Sequence, residues 1–379
     1  MPQVKPDIET FARIKVVGIG GSGCNAIHRM MRSRINGVDY IAINTDVQAL
    51  HHHKAPVKVH IGRTTTRGLG AGMNPSLGKE AAEENRTDIK EVLDGSDLIF
   101  LTAGLGGGTG TGAMPVVSDI AREIGALTIA VVTKPFSFEG SERRKIADDG
   151  WQELQGRVDA LITIPNDKLL TLIQEETPLE KTFLICDDAL KSAVQGISDI
   201  ITNPGIVNVD FADVKTILKG SGVALLGVGS ARGKDRASKA AHFAIHSPLF
   251  EISLDGSRSV LFNISGDKDL AMSEVYTVAK IISDAVDPDS KIIFGAVVNP
   301  TLAKGELKVT VIGAGFKGMQ VPPPKPASPS LFNQLQRPAP QPVEVVQRKI
   351  VPEAEESLEE DKEWQDVPAF LRRKKPRVL

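Results

Sequence analysis

The nine residues Gly104-Leu105-Gly106-Gly107-Gly108-Thr109-Gly110-Thr111-Gly112 have the composition of an anion cradle. Glycines let backbone N–H groups approach a phosphate closely, and two threonine hydroxyls add donors. The run follows the apolar stretch Asp97–Ala103 and precedes a helical pattern from Ala113, so it reads as strand, glycine loop, helix. A helix start adds a positive dipole end. No Gly-Lys-Ser/Thr follows, which excludes the lysine-bearing P-loop. A second run, Gly18-Ile19-Gly20-Gly21-Ser22-Gly23-Cys24-Asn25, satisfies G-x-G-x-x-G, with Asp39 and Asp46 about 20 residues on. Alone it fits NAD. Two glycine loops after two parallel strands fit a triphosphate gripped along its length. A third loop, Gly68-Leu69-Gly70-Ala71-Gly72-Met73-Asn74-Pro75, either covers the terminal phosphate with further N–H groups or is an ordinary flexible loop.

Several polar side chains carry further chemistry. Asp210 and Asp213, with Asn208 just before them, form a pair able to hold a cation and to orient or deprotonate water. Spacing alone suits two solvated loop acids equally. Asp187 lies between Phe183 and Leu190 in an apolar helical stripe, where a carboxylate needs a partner. It is either an acid satisfied near a helix start or an acceptor for N1–H and the exocyclic amine of guanine. Glu139 and Arg143 stand four apart, as an ion pair on a helix would. Cys24 is either a thiol that exposes binding to thiol reagents or a small buried hydrophobe. His51-His52-His53 with His60 reads as a solvated loop, because three consecutive side chains cannot face one ion.

The 379 residues carry a formal net charge of -2 and two cysteines. That balance gives no case for nucleic acid, and the cysteine count excludes a disulfide framework. The polar N-terminal stretch and the lack of a long apolar run fit a cytoplasmic protein without direct membrane insertion. Aromatic residues make up only 4%, so the core must be aliphatic, as in buried parallel strands.

Strands are expected at Lys15–Ile19, Tyr40–Asn44, Lys58–Ile61, Asp97–Thr102, Leu127–Thr133 and Ala160–Pro165. Helices at Asn25–Ser33 and from Gly78 through Asn85 to Leu93 lie between them. The expected fold is α/β. A flexible arm (1–11) precedes a parallel-sheet nucleotide-binding domain (12–178) and a long central helix (179–203). A loop and short helix (204–219) lead to a smaller α/β domain with a mixed sheet (220–316). Composition then shifts to Pro, Gln and Glu, which predicts a disordered linker (317–363). In the last segment (364–379), Trp364, Val367 and Leu371 recur at helical spacing before Arg372, Arg373, Lys374 and Lys375. A peptide of that kind docks in a partner's groove.

Gly106–Gly112 resembles the signature of the tubulin/FtsZ family. Three further segments are similar to bacterial FtsZ: Val131–Gly140, Leu161–Leu169 and Asn203–Val214. The similarity spans residues 12–316 and resumes at Asp366–Arg373. It implies a GTPase that binds GTP or GDP with Mg²⁺, polymerises head to tail, and forms the division ring at mid-cell. The implied nucleotide contacts are Gly20, Gly21, Ser22, Gly23, Cys24 and Asn25; Ala71 and Gly72; Gly106, Gly107, Gly108, Thr109, Gly110 and Thr111. Glu139, Arg143 and Asn166 would lie at the ribose, Phe183 would stack on guanine, and Asp187 would pair with it. Asp210, Asp213 and Asn208 would act in the site of the next subunit. Asp366–Arg373 would bind membrane tethers. A dehydrogenase built on Gly18–Gly23 and a nucleotide-binding scaffold without turnover are the rival readings.

Overall fold

The computed structural model describes residues 12–33, 35, 37–170, 177–202, 207, 209–247, 254, 256–299 and 302–316. The expectations for the arm (1–11), Asn208, the linker (317–363) and the terminal peptide (364–379) lie outside them.

The parallel strands are β1 (Ile14–Ile19), β2 (Val38–Asn44), β3 (Val57–His60), β4 (Leu98–Gly104), β5 (Leu127–Lys134) and β6 (Ala160–Pro165). Between and after them run α1 (Gly20–Arg32), α2 (Val47–His52), α3 (Pro75–Glu84), α4 (Arg86–Leu93), α5 (Gly108–Glu123), α6 (Ser141–Leu154) and α7 (Asn166–Leu170). The long helix is α8 (Leu179–Thr202). After it come α9 (Phe211–Leu218), β7 (Gly222–Arg232), α10 (Arg236–Ile245), β8 (Ser259–Gly266), α11 (Met272–Asp284), β9 (Lys291–Val298) and β10 (Glu306–Ala314).

All ten strands join one sheet, in the order β3-β2-β1-β4-β5-β6-β7-β10-β8-β9. The first six pair in parallel, whereas β10 runs antiparallel to both β7 and β8. The mixed half is therefore present as expected, and it continues the parallel half. Their seam is narrow: β6 meets β7 only through Ala160–Ile162 against Gly222–Ala224.

Side chains alternate across the parallel half. Val16 belongs to the core on one face, which also holds Ala26, Ile27 and Met30 of α1 and Leu190, Val194 and Ile197 of α8. Its neighbour Val17 faces the opposite layer, with Ala81 of α3, Ile89 of α4 and Val117 of α5. Both faces are covered, which is why these strands are near-continuous aliphatic runs.

Three local expectations change. Helix α1 begins at Gly20 rather than near Asn25, and α5 begins at Gly108 rather than Ala113, so most of each glycine run is helical. The single helix anticipated from Gly78 to Leu93 is two. Asn85 breaks it, its Oδ1 accepting from the Gly62 N–H and its Nδ2 donating to Asp88. His51 and His52 end α2 exposed, but His53 is buried. Its Nδ1 accepts from the Ala55 N–H at 3.0 Å, so its Nε2–H donates to the Cys24 carbonyl at 2.7 Å. The ring ties α2 to α1 and is no part of a solvated loop.

Candidate functional site

The N-termini of α1 and α5 meet at the ends of β1 and β4. Gly20 has φ +71°, a left-handed backbone that favours glycine, and a Cβ on it would lie 2.9 Å from the Gly110 nitrogen. No side chain caps either helix. The N–H groups of Gly21, Ser22, Thr109 and Gly110 find no acceptor among the described residues. Such first-turn donors are what an anion satisfies, and two dipole ends reinforce the attraction.

Other glycines of these runs serve packing. A Cβ on Gly23 would enter the Thr102 carbonyl, and one on Gly112 the Pro75 carbonyl. Gly108 lies against the third loop and donates its N–H to the Gly72 carbonyl at 2.6 Å. The Ala71 N–H reaches Thr109 Oγ1 at 3.4 Å, and the same hydroxyl shares a 2.8 Å hydrogen bond with Thr45. Thr111 Oγ1 accepts from the Gly106 N–H at 2.9 Å. The two threonines read as ligand donors thus also brace the loops. Ser22 Oγ accepts from the Gly104 N–H at 2.9 Å and joins the first run to the second.

Beside these helix ends lies a cleft with an empty volume of about 520 Å³, its open mouth included. Ser22, Glu139, Arg143, Asn166, Phe183 and Asp187 line it, so residues far apart in sequence converge. Glu139 and Arg143 form a 3.2 Å ion pair, though not on one helix: Gly140, at φ +101°, separates the turn Ser137–Glu139 from α6. Glu139 also accepts from the Phe136 N–H at 2.9 Å. Asn166 is buried at the start of α7 and lines the cleft, and its Oδ1 is a buried acceptor without a hydrogen-bond partner. Phe183 is 40% exposed and meets buried Phe136 edge-on at 5.8 Å between ring centres.

Asp187 reaches Arg29 Nη1 across 2.8 Å. Burial pushes its carboxyl up to about 6, against the downward pull of the guanidinium. Arg29 was not among the residues singled out from the sequence. The signal was available, since it stands one helical turn after Asn25 on α1. Asn25 itself is exposed. Cys24 is buried below the loop, where desolvation pushes its thiol up to about 12. Its side chain packs against Gly18 and Ile43 carbonyls and takes the hydrophobe role.

Asp210 and Asp213 stand apart from the cleft lining. Asp210 caps α9 by accepting from the Ala212 N–H at 3.3 Å, and Asp213 sits in the first turn. Both are exposed. No group of three or more His, Cys, Asp or Glu side chains able to hold a metal occurs among the described residues. No helix among them is long and apolar enough to cross a membrane.

The NAD reading of the first run finds no support. Asp46 is occupied as the N-cap of α2, where it accepts from the Ala49 N–H. The model of the Tubulin/FtsZ family GTPase domain matches residues 13–174, and that of the FtsZ family C-terminal domain matches residues 222–317. An FtsZ dimer from M. jannaschii, described as empty, shares 43% identity with a TM-score of 0.78, over 81% of this chain and 89% of that one. CetZ2 from Haloferax volcanii, described as a GTPgS-bound protofilament, has 20% identity and a TM-score of 0.70, over 82% and 95% of the two chains. At that identity the likeness speaks for the fold alone. Matches along both halves of the chain, with the convergent glycine helices inside the first, lead to one conclusion: the chain belongs to the FtsZ family of tubulin-like GTPases.

Proposed function

We propose that this chain is a GTP-hydrolysing protein that assembles head to tail into protofilaments and forms the cytokinetic ring at the mid-cell division site. The observation that carries the nucleotide half is the meeting of two uncapped helix N-termini at Gly20 and Gly110. The unspent N–H groups of Gly21, Ser22, Thr109 and Gly110 fit a chain of phosphates, with Gly107 and Gly108 beside it and Ala71 and Gly72 at its end. Asn166 in the cleft wall and the Glu139–Arg143 pair suit ribose hydroxyls. Phe183 offers a face to the base, and Asp187 accepts from the two donors that guanine has and adenine lacks.

The chain offers no acidic cage of its own for Mg²⁺ among the described residues, so the ion would be held chiefly by phosphate oxygens and water. It would supply charge compensation there. The protein's own contribution is placement by backbone donors.

Asp210 and Asp213 have no substrate in their own subunit's cleft. In this reading they enter the cleft of the next subunit with Asn208 and polarise the attacking water. Exposed Leu69, Met73 and Phe138 around the glycine loops, and exposed Met272 and Tyr276 one turn apart on α11, are apolar surface that such an assembly would cover. Asp366–Arg373 would join the polymer to membrane tethers and other division proteins.

Phosphate release and light scattering, followed together against protein concentration with NAD(H) as a control ligand, test this. Turnover per subunit should climb steeply with concentration and in step with scattering. Turnover that is constant per subunit would sink the shared-site reading.

A further inference from the structure

We propose that Arg29 is a positioning residue that keeps Asp187 ionised for guanine, so that the cleft's preference for guanine is lost in weakly acidic solution. The inference rests on the base assignment made above.

Asp187 is a poor place for a charge. Its side chain is 15% exposed, on the buried side of α8. Burial is the main force against ionisation, and Asp188 next to it works in the same direction. Asp188 lies 3.7 Å from Lys191, which engages part of that charge. The other groups facing the cleft bring little relief. Glu139 is engaged by Arg143 at 3.2 Å, and the Cys186 thiol is pushed up to about 12 and stays neutral. Arg29, reaching across from α1, is the cation that opposes burial.

The way Arg29 does so is specific. Its Nη1 is 2.8 Å from Asp187 Oδ2, yet that buried nitrogen makes no aligned hydrogen bond. The guanidinium therefore acts as a nearby charge and not as a bidentate fork. The carboxylate lone pairs remain available to a ligand. An ionised Asp187 accepts from guanine N1–H and from the exocyclic amine. A protonated one loses an acceptor and turns an O–H toward a donor edge, which is repulsive. Hypoxanthine lacks the exocyclic amine and has less to lose.

The experiment uses the full chain with GDP and IDP, each displacing a fluorescent guanine nucleotide, across about pH 5 to 8. The GDP-over-IDP preference should fall several-fold as pH drops through about 6. Arg29→Gln should move that fall upward by about one pH unit or more, and Arg29→Lys should restore it, because charge is what matters. Asp187→Asn should remove the pH step and most of the preference. An unmoved midpoint in Arg29→Gln, with the step still abolished in Asp187→Asn, overturns this inference and leaves the base contact standing. A wild-type profile in Asp187→Asn overturns the base contact and this inference with it.

Discussion

Gly20 and Gly110 touch: a methyl carbon on the first would sit 2.9 Å from the amide nitrogen of the second. Two helices that begin in different parts of the chain thus share one entrance for negative charge. Gly20→Ala should disturb both. A left-handed alanine costs about 1–2 kcal/mol, and displacement of the Gly110 N–H should weaken GDP binding about tenfold or more, the loss of one charge-assisted hydrogen bond. Denaturant unfolding and nucleotide titration read the two effects separately. Unchanged GDP affinity would place the phosphates elsewhere.

Gly112→Ala separates packing from binding. The new methyl would enter the Pro75 carbonyl at the junction of α3 and α5, yet it lies a turn beyond the free donors. Overpacking of this kind costs about 1–3 kcal/mol. Thermal unfolding should show the loss directly, with GDP affinity reduced far less than in Gly20→Ala.

Asp213→Ala and Asp210→Ala should differ. Asp213 makes no side-chain hydrogen bond or ion pair among the described residues, so its removal should leave stability and GDP binding unchanged. Turnover should drop about 10²-fold or more, the usual yield of a positioned acid–base group. Asp210 caps α9 as well, so its alanine variant should also lose about 1 kcal/mol of stability. Phosphate release with parallel denaturation curves checks both. Normal turnover in Asp213→Ala would remove it from the mechanism.

Both thiols should be silent in the native protein. Cys24 and Cys186 are buried and pushed up to about 12, so almost no thiolate exists at neutral pH. A chromogenic disulfide reagent should label neither until denaturant is added. Fast labelling in the native state would show that the loop above Cys24 opens readily.

Arg236 ties α10 to α11. It is buried, with two hydrogen bonds to the Glu274 carboxylate, one to the Asp269 carboxylate and one to the Asp269 carbonyl. Those bonds hold the Glu274 carboxyl below its usual range. The stabilisation is present above the unfolded carboxyl pKa and is lost as pH falls through the lower folded value. Arg236→Met should cost about 2–3 kcal/mol at pH 7, less than the ~3–5 of a fully buried pair, because Asp269 is half exposed. The gap between variant and wild type should narrow in acid. Urea midpoints at several pH values measure it.

The sheet was legible in the sequence because strands covered on both faces must be aliphatic throughout. The positions of Lys15–Ile19 and Leu127–Thr133 followed from that alone. Helix starts were hidden at Gly20 and Gly108, since glycine's weak helix propensity argues for a loop there. Close backbone approach overrides propensity, as at Gly23 against Thr102 and Gly112 against Pro75, and no local pattern reveals such contacts. The cleft residues Asp187, Glu139 and Asn166 could be named from sequence, but Arg29 opposite Asp187 depends on how α1 lies on α8. His53 misled for the same reason, because its partner is a carbonyl on another helix.

The glycines that press α5 against its neighbours carry a lesson for reading genomes. Gly112 and Gly23 are required by backbone contacts whether or not a nucleotide is ever cleaved. A descendant that had lost turnover would still be selected to retain them, for its shape. Survival of the glycine run in a distant homologue is therefore a marker of inherited architecture. Under the proposed mechanism, whether that homologue still works as an enzyme would be written at positions 210 and 213, where the architecture asks for little more than a helix cap.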